Sequence, residues 1–292
     1  MKLFYNQNWN IGFCEITPDS LIHNKRLPEV QWMKHPYRDR WFADPYLLKI
    51  TKTEIVVLVE ECIINAPKGT ICELIVDKAT KQLKERRLIL ELDTHLSYPA
   101  IIWHKGNVYV YPENGASGSL NIYEYDEVAH TLINPTCILN EAVADANIIE
   151  VNGHYYMSAT KYPNTQADAY LYEADTLFGP YRQIGEKPYQ TDKGFSRQGG
   201  NWFVVNEFLF RPVQDCRVRY GASMNIMEVK LSKGHIDESP IFSILPCSSR
   251  YSEGLHTINF LNDYCVIDSC GYSYPMMKYI HKTGQVLKSI IK

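Results

Sequence analysis

Carboxylic acids recur along this chain at the ends of short apolar runs. Asp44 opens Asp44-Pro-Tyr-Leu-Leu, Glu60 and Glu61 close Ile-Val-Val-Leu-Val, and Glu113 closes Val108-Tyr-Val-Tyr-Pro. Asp145 opens Asp145-Ala-Asn-Ile-Ile, and Asp268 closes Tyr264-Cys-Val-Ile. Basic groups stand in comparable places: Arg197 before Gly199-Gly200, Arg211 with Gln214 and Asp215 beyond it, Lys161 after a strand-like run, and His256 close to Glu253. Carboxyls gathered round one cavity can break a glycosidic bond. One is held protonated to give a proton to the leaving oxygen, and another is ionised as base or nucleophile. A third negative charge raises the acid's pKa by disfavouring its ionised form. On this reading Asp44 is the base or nucleophile, Glu113 the acid and Asp145 the charge that tunes it. Tyr98, Tyr220 and His256 are expected to face a sugar, with Trp103 packed between structural units. Glu61, Arg197, Arg211 and Asp215 are expected to hold hydroxyls or an anionic group.

Each of these residues also has a purely architectural reading. Asp44 precedes Pro45 and fits a turn cap. Asp145 could bind backbone amides of a neighbouring unit, and alternation along a strand puts one of Glu60 and Glu61 outward. The arginines could serve as ion-pair glue. What lifts the set above its members is the repeated placement of acids at equivalent points.

That repetition comes from the elements that carry them. Apolar strand-like runs separated by Gly, Asn, Asp or Lys turns recur, while helical periodicity is nearly absent. Equivalent strands begin near 44, 98, 145, 199 and 256, on average about 53 residues apart, which suits four-stranded blades. The expected fold is an all-β, five-bladed β-propeller forming one domain over residues 1–292. Its blades fall at about 41–90, 95–140, 143–190, 196–245 and 252–290. A strand at 9–16 supplies the outer strand of the last blade and closes the ring; Met276–Ile280 is read as that blade's third strand. A β-sandwich is the competing architecture. In a propeller, the start of the first strand and the end of the second share one face beside the axis, so the acids above share a mouth.

Composition removes other classes. The 292 residues carry 30 Lys and Arg against 33 Asp and Glu, a net charge of −3, which argues against a nucleic-acid partner. No apolar run is long enough to span a bilayer, and the polar start Met1-Lys-Leu-Phe-Tyr-Asn lacks a signal-peptide core, so a cytoplasmic location is expected. The eight cysteines are scattered without a C-x-x-C pair, so free thiols, no metal site and no cofactor are expected. The 21 tyrosines suit sheet surfaces and sugar-stacking clefts.

Motifs now add a family. Trp41-Phe-Ala-Asp44-Pro-Tyr, Val59-Glu-Glu61, His95-Leu-Ser-Tyr98-Pro, Tyr111-Pro-Glu113-Asn, Arg197-Gln-Gly-Gly and Arg211-Pro-Val-Gln-Asp215 through Tyr220-Gly221 run in order along most of the chain. Together they resemble the propeller-type domain at the N-terminus of plant glucosamine inositolphosphorylceramide transferase and its bacterial stand-alone relatives. That domain is similar to the five-bladed glycoside hydrolases of families 43 and 32. The resemblance implies an Asp in blade one, matched by Asp44, a second Asp two blades on, matched by Asp145, and a Glu acid. Family 43 would carry that Glu on the first strand of blade four, where this chain has Arg197-Gln-Gly-Gly; Glu113, Glu61 or Glu253 would have to substitute.

The expected function is a carbohydrate-active enzyme working on a glycosidic linkage of a carbohydrate or glycoconjugate ligand. Glycosyl transfer or phosphorolysis, and a non-catalytic sugar-binding or scaffold propeller, remain as alternatives.

Overall fold

A computed structural model describes residues 7–232 and 234–272. Strand β1 (Gln7–Glu15) leads into a short helix α1 (Pro18–Asn24) and the two-residue β2 (Gln31–Trp32). Four blades follow in chain order: β3 (Arg40–Ile50), β4 (Glu54–Ile63), β5 (Ala66–Asp77) and β6 (Leu83–Leu90); β7 (Ser97–His104), β8 (Asn107–Glu113), β9 (Leu120–Asp126) and β10 (Thr131–Leu139); β11 (Val143–Val151), β12 (His154–Lys161), β13 (Ala169–Ala174) and β14 (Arg182–Ile184); β15 (Phe203–Val205), β16 (Phe208–Asp215), β17 (Ser223–Ser232) and β18 (His235–Ile244). The fifth begins with β19 (Ile258–Leu261) and β20 (Tyr264–Tyr272) and is completed from the other end of the chain, in the order β19-β20-β1-β2. The protein is an all-β, five-bladed propeller.

The N-terminal strand does close the ring, but as the third strand rather than the outer one. β1 pairs with β20 from Gln7 opposite Tyr272 to Glu15 opposite Tyr264, and β2 takes the edge through Gly12–Trp32. The run Met276–Ile280 lies outside the described residues. Helix α1 went unanticipated because it has only 7 residues, about two turns; Thr17 caps it by accepting from Ser20 N–H, and Pro18 opens it.

Two local devices set the blades. Inner hairpins turn on two residues with left-handed backbone, such as Lys105-Gly106 (φ 49 and 85) and Asn152-Gly153 (φ 52 and 78), the type I′ arrangement that matches strand twist. At the opposite end of the inner strands, Asp44, Tyr98 and Asp145 also have positive φ (51, 46 and 48), each where the ladder slips: between Ala43 and Tyr46, Ser97 and Ala100, and Ala144 and Asn147. These bulges turn a backbone N–H sideways toward the preceding blade. The apolar core lies between blades, as where Ile11 and Phe13 of the last blade meet Phe42 and Val57 of the first. Among the described residues no helix is long and apolar enough to cross a membrane.

Candidate functional site

The three turned N–H groups each meet a carboxylate from the blade before. Asp44 N donates to Asp268 Oδ2 (2.9 Å), Tyr98 N to Asp44 Oδ2 (3.1 Å) and Asp145 N to Glu113 Oε2 (3.1 Å). Acids at the inner ends of blades five, one and two therefore staple the ring, and the staples bring Asp44, Glu113 and Asp145 together at one end of the axis. Glu60 joins them. It pairs in register with Ala43 at the end of β4, and its carboxyl lies in hydrogen-bonding contact with Asp44.

Asp268 is fully buried and accepts from His256 N (3.1 Å), Thr257 N (3.0 Å) and the His256 ring Nδ1 (2.7 Å), besides Asp44 N. Thr257 Oγ1 donates to Asp44 Oδ1 at 2.9 Å, where His256 Nδ1 is 3.7 Å away. Across the axis, Arg197 grips Asp145 through Nε (2.6 Å) and Nη2 (3.2 Å), reaches Glu113 at 3.5 Å, and donates to the Thr165 carbonyl. Gln214 Nε2 adds a donor to Asp145 (2.7 Å), and the Tyr162 hydroxyl donates to Glu113 Oε1 (2.8 Å). Glu113 is thus surrounded by donors.

Burial governs the electrostatics. It pushes Asp44 above the usual carboxylate range, with Asp268 adding to the push while His256 and the Thr257 hydroxyl oppose it. Glu60 is held well above its usual value by burial, then by the charge of Asp44 and the contact with it, with Glu113 and Asp145 further contributors. Asp145 is raised by burial and by Glu113 and Asp44, against the pull of Arg197. For Arg197, burial disfavours the charge, and Asp145 and Glu113 more than offset it. Burial likewise opposes the His256 imidazolium, but Asp268 and Asp44 prevail and raise its pKa.

An aromatic rim covers this cluster. Trp9 of β1 stacks on His256 with ring centroids 3.9 Å apart and 15° between planes. Tyr220 meets the same imidazole edge-on at 5.4 Å, and its ring lies 5.1 Å from the Arg197 guanidinium. Tyr220 and Tyr162 are exposed, and Trp9 is half-buried. Flat rings above hydrogen-bonding acids form a surface suited to a sugar, whose faces are apolar and whose edge carries hydroxyls.

Other expected residues are placed elsewhere. Tyr98 shares the backbone position of Asp44 and Asp145, yet its ring plunges below the mouth. There it is fully buried edge-on to Tyr46, and its hydroxyl accepts from Asn147 Nδ2 (2.6 Å) and Gly200 N (2.7 Å). Glu61 turns outward to Arg40 and Arg86. Arg211 sits in mid-strand, fully buried, binding Glu238 (2.6 Å) and the Ser196 and Phe195 carbonyls. Asp215 is held by Arg217, Lys161 by Glu141, and Glu253 takes Ser252 and Arg219. Trp103 stands at the far end of its strand, 55% exposed rather than packed between blades. Trp9 was missed because it lies outside the inner strand pairs, though its place on the closing strand was a usable signal; Tyr162 stands one residue beyond Lys161, the end of β12, and was passed over for that lysine.

Among the described residues, Asp44, His256 and Asp268 are the set whose donor atoms come within 4.8 Å of one another. The imidazole Nδ1 is already spent on Asp268, so the group satisfies itself as a buried ion pair.

The family model for glucosamine inositolphosphorylceramide transferase 1, N-terminal, matches residues 27–247. The Oryza sativa subsp. japonica glucosamine inositolphosphorylceramide transferase 1 is 24% identical over 154 residues, 50% of this chain and 21% of that protein. Its Arabidopsis thaliana namesake is 24% identical over 163 residues, 53% and 21% respectively. The match spans about a fifth of the length of these curated relatives. Among solved structures, a thermostable family-43 glycoside hydrolase superposes with a TM-score of 0.55 at 15% identity, covering 72% of this chain and 81% of that one. A family-43 β-1,3-galactosidase gives 0.55 at 12% identity, covering 83% and 57%. At these identities the likeness to solved structures is one of fold. The family match, running through all but the closing elements of the ring, places this chain in the family of the N-terminal region of glucosamine inositolphosphorylceramide transferase 1.

Proposed function

We propose that the axial mouth binds a carbohydrate and acts on a glycosidic linkage, with Glu60 as the proton donor. The observation that carries this reading is the Glu60–Asp44 contact. Two buried carboxyls in hydrogen-bonding contact cannot both ionise cheaply, so one keeps its proton near neutral pH, as a general acid must. The acid role thus moves from Glu113, whose oxygens are occupied by donors, to Glu60. Asp44 stands beside it as the ionised partner, and Asp145 with Arg197 fixes the opposite wall. The transferase names of the curated relatives favour passing the sugar to an acceptor over releasing it to water.

The test is turnover of a panel of nitrophenyl glycosides and sugar nucleotides, with and without inorganic phosphate or an acceptor glycan. Glu60→Gln should lower kcat by about 10²–10⁴ while leaving sugar binding in place. Unchanged turnover in that variant overturns the assignment. A second reading, a sugar-binding propeller without turnover, draws on the small exposure of the acids: Asp44 4%, Glu60 6%, Glu113 6% and Asp145 2%. Saturable binding with no turnover for any glycoside or donor supports it.

A further inference from the structure

One member of the His95-Leu-Ser-Tyr98-Pro motif has no part in the acid–base scheme above. His95 lies on the loop between β6 and β7, its side chain 47% exposed, with Nε2 3.4 Å from Glu60 Oε1. The other ring nitrogen is committed, because Gly69 N donates to Nδ1 at 2.8 Å. Leu96 N donates to Gly69 O at 3.0 Å and fixes the same pair of segments. A nitrogen that accepts an amide hydrogen cannot carry its own, so the hydrogen of the neutral ring sits on Nε2, the nitrogen beside Glu60. Gly69 makes the approach possible: a Cβ there would stand 2.8 Å from both His95 Cε1 and Glu60 Oε1, and 2.1 Å from Leu96 O.

We propose that His95 is a positioning residue, a neutral donor of fixed orientation that holds Glu60 Oε1 and leaves the acid's proton to the other oxygen, on the Asp44 side. This rests on the role given to Glu60. The adjacent residue shows why a neutral donor matters. Burial would raise Glu61 too, but Arg86 and Arg40 bind it and bring it below the usual range. A cation in direct contact with Glu60, in the place of His95, would do the same to it and discharge its proton, whereas a neutral imidazole orients the carboxyl without doing so. Proton relay through His95 is ruled out by the same geometry: losing the Nε2 hydrogen would leave the ring with none. Other groups that act on Glu60 are Asp44 from β3, Glu113 from β8 and Asp145 from β11. Near His95, Lys68 is turned to Glu91 and the Leu92 carbonyl.

The test needs no substrate. Protein labelled with 15N in histidine and 13C in the glutamate carboxyls is followed by NMR, with His95→Gln and Glu60→Gln giving the assignments. The expected results are the Nε2–H tautomer for His95 at neutral pH, and a Glu60 midpoint that rises by about half a unit to one unit in His95→Ala. His95→Gln, whose amide can still donate, should restore most of that difference. A His95 ring protonated on Nδ1 overturns the proposal, as does a Glu60 midpoint indifferent to His95→Ala in a protein with the parent near-ultraviolet dichroism. The tautomer is read in the unsubstituted chain, so it stands whether or not His95→Ala folds. The two ideas fail separately. A Glu60 that titrates in the ordinary carboxylate range removes the acid, while a raised Glu60 insensitive to His95 removes only the positioning role.

Discussion

Replacing Arg197 by methionine keeps the side chain's reach and removes its charge. Arg197 is 7% exposed, and its guanidinium is the cation bound to Asp145, at 2.6 and 3.2 Å, with Glu113 at 3.5 Å. Taking one partner from a buried ion pair costs about 3–5 kcal/mol, because the remaining charge stays out of water uncompensated. At about 2–4 °C per kcal/mol for a domain somewhat smaller than this one, Arg197→Met should melt roughly 6–20 °C below the parent at about pH 8. The deficit must depend on pH. Without Arg197, Asp145 binds its proton more tightly in the folded than in the unfolded chain. Stability is therefore lost as pH climbs from the unfolded value, about 4, through the raised folded one. Toward about pH 5.5 more of the carboxyl carries its proton than at about pH 8, so the deficit should shrink. Thermal unfolding followed by circular dichroism at both pH values measures this directly. A deficit under about 1 kcal/mol, equal at the two, would refute the claim that Arg197 is the counter-charge of the paired acids.

Two further outcomes follow from the same geometry. Tyr98→Phe removes the acceptor of the Gly200 N–H and Asn147 amide bonds and should cost about 1–3 kcal/mol in denaturant titration, with sugar affinity unchanged; weakened binding at full stability would return Tyr98 to the mouth. The axial groups Asp44, Glu60, Asp145 and His256 all have raised pKa values when folded. The three acids lose their contribution as pH rises above about 4 through their folded values, and His256 loses its own as pH rises from about 6.5 through its folded value, so the melting temperature should fall from mildly acidic toward alkaline pH. Glu60→Gln should flatten that fall and melt above the parent at about pH 8; parallel curves would show that Glu60 is not among the raised groups.

Reading the fold from sequence worked where physics is local. Strand, two-residue turn and strand repeat with their own signals, and five repeats can close only as a ring. The site was half readable for the same reason: the strand ends that share a face follow from antiparallel pairing, and these gave Asp44, Glu113, Asp145, Arg197 and His256. What failed is register. Glu60 rather than Glu61 faces the axis because the bulge after Ala43 sets the parity of the pairing, and nothing in Glu60-Glu61 itself decides that. Read from sequence, β16 ends at Arg211, but the strand runs on through Pro212 to Asp215, so of Arg211, Gln214 and Asp215 it is Gln214 that reaches Asp145. Tyr98 shares the backbone of the two aspartates and departs from them through its neighbours. Its ring lies edge-on to Tyr46 and its hydroxyl accepts from Asn147 and Gly200 N, partners from other blades that its place in the repeat does not announce.

The staples also bear on how any activity should be probed. Asp44 is the acceptor of the Tyr98 amide and the Thr257 hydroxyl, so its carboxylate ties blade one to blades two and five while standing beside Glu60. Truncation to alanine would strand a buried N–H and a buried hydroxyl, at about 1–3 kcal/mol each, and would loosen the ring at the point where chemistry is expected. A loss of turnover in that variant therefore mixes two causes. Asparagine keeps an acceptor oxygen for the Tyr98 amide and turns an amino group to the Thr257 hydroxyl, which must then accept instead of donate, so it keeps the staple to blade two while removing the charge and the proton shared with Glu60. Turnover lost in Asp44→Asn with the parent's melting temperature would assign the loss to chemistry. A fall in both would show that the staple, rather than the acid pair, is what Asp44 supplies.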